Sequence, residues 1–136
     1  MTINPKINLL EMKIKLSTLW IVVLFNMTFR DFHEFLRSGY LEELLAMTSN
    51  GAQVSQGILL SAAVVLQIPI GMIFLTQVLN VNVSRWANII GALIMIVGTV
   101  ANNLTPDLDD MLFYAVACTA MVAIIWYAWR WEKQGV

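Results

Sequence analysis

The chain contains four predominantly apolar stretches. Short segments rich in Gly, Pro, Asn, Asp and Ser separate them. Turns and connections favour those residue types, whereas a helix that crosses a bilayer needs about 20 predominantly apolar residues. The pattern therefore predicts four membrane-spanning helices, at about 14–36, 54–79, 85–102 and 107–131.

The first stretch differs from the others because its uncharged part, Leu16 to Phe29, is only fourteen residues long. A secretory signal peptide has an apolar core of similar length, but small residues mark its cleavage site. Arg30 and bulky aromatic residues follow here instead, so we expect an uncleaved helix that ends near Phe35. Helical signals begin near Glu11, and the first ten residues are expected to be a loosely ordered lead-in.

The connection after the first span contains a short amphipathic segment. Apolar residues recur at helical spacing between Tyr40 and Leu45, and two glutamates lie on the opposite side. This pattern predicts a short interfacial helix, capped by Ser38 or Gly39 and ended by the polar run 48–51. Such a helix is either a lid over the charged residues described below or a linker lying among the lipid headgroups.

The second and third spans carry residues that are unusual inside apolar helices. Pro69 is predicted to kink the second span and to free the carbonyl of Val65. Gln67 is expected to face the interior of the bundle, as an interhelical hydrogen-bonding group or as a pore-lining amide. Gly91 and Gly98 lie seven residues apart and predict a close approach of the third span to a neighbour.

Composition narrows the class of protein. The 136 residues are 59% hydrophobic and 12% charged, with a mean hydropathy of +0.72. A soluble domain needs more polar surface than this, so the apolar excess is expected to face lipid. We predict an all-α fold, a membrane-embedded antiparallel four-helix bundle over residues 1–136 with a short interfacial helix between spans one and two. The single cysteine, Cys118, is expected to pack as a small apolar residue.

The charged residues are distributed unevenly between the two predicted sides. With both termini in the cytoplasm, most of the eight basic residues lie on the inner side, as the positive-inside rule requires. Most of the nine acidic residues then lie on the outer side. We therefore expect a protein of the cytoplasmic (inner) membrane, with an anionic outer end that attracts cations.

The end of the first span carries most of the candidate chemistry. Residues three, four or seven apart share one helix face, which groups Asn26, Arg30, His33, Glu34 and Arg37 beside Asp31. Arg30 and Glu34 are expected to pair. The group is either a ligand or proton site, to which Gln67 contributes, or a salt-bridged helix end that fixes packing. Among carboxylates, His33 would be a pH-dependent element.

Three aspartates lie where the fourth span begins: Asp107, Asp109 and Asp110. They resemble a cation-binding cluster and are the candidates for a metal site. They also suit the positive end of a helix, with Thr105 as its N-cap and Pro106 as its first residue. This second interpretation explains the aspartates without a metal.

The sequence contains no metal-binding, phosphate-binding or nucleophile motif, and it has no second histidine to pair for haem or zinc. We therefore expect no cofactor. The basic residues are too few and too scattered for nucleic-acid binding.

Five short motifs resemble a family of small four-span bacterial membrane proteins of unknown function. In chain order they are Lys-Leu-Ser-Thr-Leu-Trp, Phe-Arg-Asp-Phe-His-Glu, Arg-Trp-Ala-Asn-Ile-Ile, Pro-Asp-Leu-Asp-Asp and Ile-Ile-Trp-Tyr-Ala-Trp. The resemblance covers about Met12 to Trp131. It implies an inner-membrane location and a four-helix fold, and it brings no assigned activity.

Three classes of function fit these features. The leading hypothesis is a membrane protein that binds or passes a small cation, a proton or a polar solute at its charged outer end, in the lipid bilayer and as a homo-oligomer. The second is a structural or regulatory membrane subunit that docks a partner protein. The third is a lipid- or quinone-modifying enzyme with His33 and Glu34 as acid and base.

Overall fold

Four long helices dominate the structure, a computed structural model that describes residues 5–49, 51–101 and 107–131. A short helix and a pair of two-residue strands lie between the first two long helices. In chain order the elements are α1 (Pro5–Glu34), α2 (Tyr40–Leu45), β1 (Thr48–Ser49), β2 (Ala52–Gln53), α3 (Gln56–Val78), α4 (Val81–Ala101) and α5 (Leu108–Arg130). The prediction of an all-helical chain is confirmed.

Two helices begin earlier than their sequence signals indicate. The first starts at Pro5 rather than near Glu11, so the loosely ordered lead-in expected up to residue 10 is wrong for residues 5–10. Proline suits this position because its fixed φ matches the first turn and its missing N–H would have no partner there. The third long helix starts at Val81 rather than near residue 85. The connection between it and α3 therefore consists only of Leu79 and Asn80.

The short helix predicted after the first span is confirmed as α2. Gly39 is its N-cap and has a φ of 83°, a left-handed conformation that a residue without a Cβ adopts at little cost. Strand β1 pairs with β2 in antiparallel fashion, with Thr48 opposite Gln53. Sequence analysis predicted the break after α2 but not this hairpin.

The long helices pack around one another in alternating directions. Helix α1 contacts both α3 and α5, and α4 contacts the same two helices. On one side of α1, the Lys13 ammonium donates hydrogen bonds to the carbonyls of Gln77 and Leu79, at 2.7 and 3.1 Å. On the other side, the Asn26 amide donates to the carbonyl of Phe113, at 2.7 Å. The N-terminal half of α1 therefore lies beside the end of α3, and its C-terminal half lies beside the start of α5.

Trp20 of α1 lies at the centre of the apolar core. The core is built mainly from one face of α1, α4 and α5; its most buried apolar members are Leu16, Trp20, Val23, Ala92, Met95, Met121, Ile124 and Ala128. Helix α3 contributes Met72 and Pro69 but is otherwise largely exposed, and it continues as a helix through Pro69.

A small polar network crosses this core. The Trp20 indole N–H donates to the Asn88 side-chain oxygen at 2.7 Å, and the Asn88 amide donates to the Ser84 carbonyl at 2.7 Å. Thr76 of α3 exchanges hydrogen bonds with Asn88 at 3.1 and 3.3 Å. All four side chains are buried. Because buried polar groups are costly without partners, this network joins α1, α3 and α4 in one arrangement.

The two glycines of α4 differ: Gly91 is buried beside Trp20 of α1 and Ile68 of α3, whereas Gly98 has no such neighbour. A Cβ added at Gly91 would lie 3.5 Å from the Trp20 ring, which is ordinary van der Waals contact. A Cβ at Gly98 would have no neighbouring atom within 4 Å. The predicted close approach therefore holds at Gly91, beside Trp20, and not at Gly98.

Within the described residues, three helices are long and apolar enough to cross a membrane: α3, α4 and α5. Helix α1 is longer than any of them, at 30 residues, but it carries charged residues on both sides of its uncharged stretch Leu16 to Phe29. Many large apolar side chains on the outside of the helices are exposed, among them Leu60, Phe74 and Val97. Three of the four predicted spans therefore have the length and composition of membrane helices, consistent with a membrane protein.

Substitution of Asn88 tests whether the polar network holds the core together. Asn88→Ala leaves the Trp20 indole N–H and the Thr76 hydroxyl without their acceptor and opens a void, so we expect unfolding in detergent to become easier by about 1–3 kcal/mol. Asn82→Ala is the matched control, since Asn82 lies on the exposed face of the same helix. Equal stabilities of the two variants, followed by circular dichroism, would contradict this role.

Candidate functional site

The antiparallel packing of α1 against α5 gathers the charged residues of two distant segments at one end of the molecule. We call them the charged cluster; its members are Arg30, Asp31, His33, Glu34 and Arg37 from α1 and the residues after it, and Asp107, Asp109 and Asp110 from the start of α5. All eight are among the residues predicted from the sequence. Five ion-pair contacts join the two segments, and Asp31 and Glu34 pair with arginines of their own segment.

Arg30 pairs with the opposite helix rather than with its own. Its Nε lies 3.2 Å from Oδ1 of Asp110, and its guanidinium carbon lies 4.8 Å from the centre of the Tyr114 ring. Asp31 is a more distant partner, at 4.0 Å from Nη1. Arg30 therefore pairs with Asp110 of α5 rather than with Glu34, the partner expected from helical spacing.

Arg37 lies among four carboxylates. Its Nη2 is 3.0 Å from Asp107, 3.3 Å from Glu34, 3.5 Å from Asp110 and 4.0 Å from Asp109. Desolvation lowers the pKa of Arg37, but the nearby negative charges, that of Glu34 first, outweigh it and raise the pKa above the ordinary value. Arg37 therefore stays cationic and holds the start of α5 against the end of α1.

Glu34 and Asp110 are the two buried carboxyl groups of the cluster, with 9% and 6% of their surfaces exposed. Both lie within 3.5 Å of the same Arg37 nitrogen. The Arg37 guanidinium therefore offsets part of the cost of burying both carboxyl groups.

His33 lies at the exposed rim of the cluster. Its Nε2 is 3.0 Å from Oδ2 of Asp109, and its ring lies 5.7 Å from that of Phe113. The contact is an ion pair when the imidazole is protonated and a hydrogen bond when it is neutral with the proton on Nε2. His33 therefore adds a further contact between α1 and α5 at the rim of the cluster.

The aspartates at the start of α5 bind the protein's own cations. Asp107 is the N-cap of the helix, and Asp109 and Asp110 lie in its first turn, where negative charge suits the helix dipole. Across residues 5–49, 51–101 and 107–131, no group of three or more His, Cys, Asp or Glu side chains is placed to hold a metal ion. The metal candidates are thus occupied as ion-pair partners. Thr105 and Pro106 lie outside the described residues.

Tyr40, the first residue of α2, lies near the charged cluster. Its ring meets that of Phe35 edge-on, with the centres 5.7 Å apart. Burial, followed by the negative charges of Glu34 and Asp31, raises the pKa of the Tyr40 hydroxyl. The start of α2 therefore stays close to the cluster, whereas Leu41 and Leu45 further along are exposed.

A cavity of about 150 Å³ lies beside the charged cluster, between the four long helices. Its lining is polar at the outer end and apolar toward the core; it comprises Asn26, Met27, Arg30, Asp31, Val65, Met95, Gly98, Thr99, Tyr114 and Ala117. Tyr114 is not among the residues predicted from the sequence. Its position one helical turn after Asp110, on the same face, is the signal that could have found it.

Gln67 is not part of this site. It lies on the exposed face of α3, so the expectation that it faces the interior is wrong for this chain. Val65, two residues earlier in α3, lines the cavity instead. The second span therefore turns a different face toward its neighbours than the polar pattern of the sequence indicated.

The buried position of Asp110 predicts that its charge is needed for packing. Asp110→Asn removes the partner of Arg30 and one partner of Arg37, so we expect a loss of stability of about 3 kcal/mol. Asp107→Asn is the control, because the same change at the exposed N-cap leaves Arg37 with its other carboxylates and should cost much less. Urea or SDS titration of both variants in detergent gives the comparison; equal losses would show that burial of Asp110 is not decisive.

Comparison with known proteins places the chain in a family without an assigned activity. The model of a family of unknown function, DUF6326, matches residues 8–136. No curated protein and no solved structure matches the chain significantly. The matched range includes all of the described charged cluster, the cavity and the core. The chain therefore belongs to the family of unknown function DUF6326.

Proposed function

We propose that this chain is a four-span integral membrane protein whose charged end binds a small cation in the cavity beside Arg30 and Asp31. The observation that carries the proposal is the cavity itself, which has a partly neutralised carboxylate in its wall.

The packing of α1 supports its assignment as a membrane span, in addition to α3, α4 and α5. Lys13 and Ser17 hydrogen-bond to the last two turns of α3, and Asn26 and Arg30 contact the first turns of α5. If α3 and α5 cross a membrane, a helix that lies against both along its length must lie at the same depth. The charged residues of α1 then fall at the two interfaces, where an ion costs less than at the centre of the bilayer.

The distribution of charge supports an orientation with the charged cluster outside. Lys13, Lys15, Arg85 and Arg130 lie at the opposite end of the helices, near the aromatic side chains Trp126 and Trp129. Short basic segments stay on the cytoplasmic side of a membrane, and tryptophans gather at the interface. We therefore assign this basic end to the cytoplasm and the protein to the cytoplasmic membrane.

The charge of the site favours a cation as its ligand. The charged cluster contains five carboxyl groups against two guanidinium groups and one imidazole. The Arg30 guanidinium in the cavity wall forms an ion pair with Asp110 at 3.2 Å. The Asp31 carboxylate lies further from Arg30, at 4.0 Å, and its side chain is 58% exposed. An excess of negative charge at the mouth raises the local concentration of cations. Asp31 is thus the carboxylate that a cation would meet.

The size of the cavity limits the ligand. Water occupies about 30 Å³ per molecule in the liquid, so 150 Å³ holds about five waters. A sodium ion with part of its hydration shell, methylammonium or guanidinium fits this volume. The polar residues Asn26, Thr99 and Tyr114 line the same cavity.

Cation binding is tested with three probes: sodium, methylammonium and guanidinium. We expect at least one of them, at millimolar concentration, to raise the melting temperature of the purified protein in detergent, because a ligand that binds only the folded state stabilises it. Asp31→Asn should weaken the apparent Kd for that cation by about tenfold, since it removes the counter-charge. Tryptophan fluorescence during heating gives the melting temperature.

Glu42→Gln is the matched control for this experiment. It removes the same charge at the same end of the molecule, on the exposed side of α2 and away from the cavity. The proposal fails if none of the three cations stabilises the protein, or if Glu42→Gln weakens binding as much as Asp31→Asn. The first result would support a structural membrane subunit instead, which the mutual pairing of Arg37, Glu34 and Asp110 favours.

The topology is tested separately by cysteine labelling in intact cells. In a Cys118→Ser background, a cysteine introduced at Ser38 should react with a membrane-impermeant maleimide from outside, and one at Asn80 should react only after permeabilisation. Both positions are exposed and lie in turns at opposite ends of the helices. Labelling of both positions in intact cells, or of neither, contradicts four spans in this orientation.

A further inference from the structure

A second, larger recess lies at the basic end, far from the charged cluster. It has a volume of about 480 Å³ and separates the N-terminal part of α1 from the last turns of α5. We call it the basic-end groove; the residues that matter for its chemistry are Glu11, Met12, Lys15, Trp126, Tyr127 and Arg130. None of these residues contributes to the proposed cation site.

The groove presents two cations from opposite walls. The Arg130 guanidinium lies over the Trp126 ring, with 3.9 Å between its carbon and the ring centre, and this contact orients it. Lys15 is held on α1 by Glu11, with Nζ 3.7 Å from the carboxylate oxygen. Both side chains of the Lys15–Glu11 pair are more than half exposed, so the ammonium group remains accessible to a ligand.

The lining of the groove suits a molecule with a polar and an apolar part. Met12 is buried at its base, and Trp126 and Tyr127 form its aromatic wall. Tryptophan and tyrosine gather where the headgroups meet the acyl chains. On the membrane placement proposed above, the groove therefore opens toward the headgroup layer.

We propose that the basic-end groove binds an anionic phospholipid through its phosphate. Lys15 and Arg130 supply the positive charge, Arg130 as a planar donor group that suits phosphate oxygens. A second hydroxyl-bearing part of the headgroup fits beside Asn8 and Tyr127, and the acyl chains leave along the apolar surface of α1 and α5. A free phosphate ion shares the phosphate chemistry but leaves the apolar floor and most of the volume unused.

Native mass spectrometry of the full chain in detergent measures this binding directly. The probes are phosphatidylglycerol, phosphatidylcholine, glycerol phosphate and inorganic phosphate. We expect phosphatidylglycerol to bind at least about tenfold more tightly than phosphatidylcholine, and Lys15→Gln with Arg130→Gln to abolish that preference, because each basic group near an anionic headgroup contributes to the affinity. Glu11→Gln should tighten phosphatidylglycerol binding, since it frees Lys15 and removes a negative charge.

The controls separate a built site from general attraction. Lys6→Gln removes one charge from the same end but outside the groove lining, and it should keep the preference for phosphatidylglycerol. Circular dichroism melts of each variant without lipid show that the fold is retained. Equal binding of both lipids, equal effects of Lys6→Gln and the double variant, or displacement of the lipid by inorganic phosphate or glycerol phosphate would overturn the proposal. A failure of cation binding at Asp31 leaves it untouched.

Discussion

The contact between Arg30 of α1 and Asp110 of α5 is the interaction on which the charged end of this protein depends. It brings two segments about eighty residues apart into one cluster. An isolated buried carboxylate would be costly in so apolar a chain, so Asp110 is stable in its place only because Arg30 and Arg37 approach it from the opposite helix. The same approach places Arg30 in the wall of the cavity, beside Asp31.

The two ends of the helix bundle are stabilised by different kinds of contact. At the charged end, carboxylates and guanidinium groups from two segments neutralise one another and leave a surplus of negative charge beside a small cavity. At the basic end, cations lie against aromatic rings, as Arg130 does on Trp126 and Arg85 between Trp86 and Trp129. Between them, the Trp20–Asn88 hydrogen bond provides a polar contact inside an otherwise apolar core, so the helices are held in one arrangement even where apolar side chains alone would permit several.

Much of this organisation could be predicted from the sequence because it is local. Helical spacing placed Arg30, His33 and Glu34 in the last turns of one helix, as α1 has them, whereas Arg37 lies beyond its end. Turn residues indicated the break after α2. The partner of Arg30 could not be found this way, since Asp110 belongs to another helix and its burial depends on tertiary packing. The hairpin of β1 and β2 was not predicted, although the Asn-Gly pair in the polar run 48–51 is a strong hairpin signal. That run was interpreted only as the end of the preceding helix. Gln67 was assigned to the interior because a polar side chain in an apolar helix usually is, whereas α3 turns that face outward.

Lys13 has a consequence for how this molecule can move. By donating to the carbonyls of Gln77 and Leu79, it saturates acceptors that the end of α3 would otherwise leave open. A slide of α1 by one turn, about 5.4 Å, would break these bonds, the Ser17 bond to Ile73 and the Arg30 contact at the same time. Translation along the helix axis therefore carries the combined cost of these contacts. Helix α3 has the fewest buried residues of the four long helices, so its outward tilting is the motion that exposes the fewest of them.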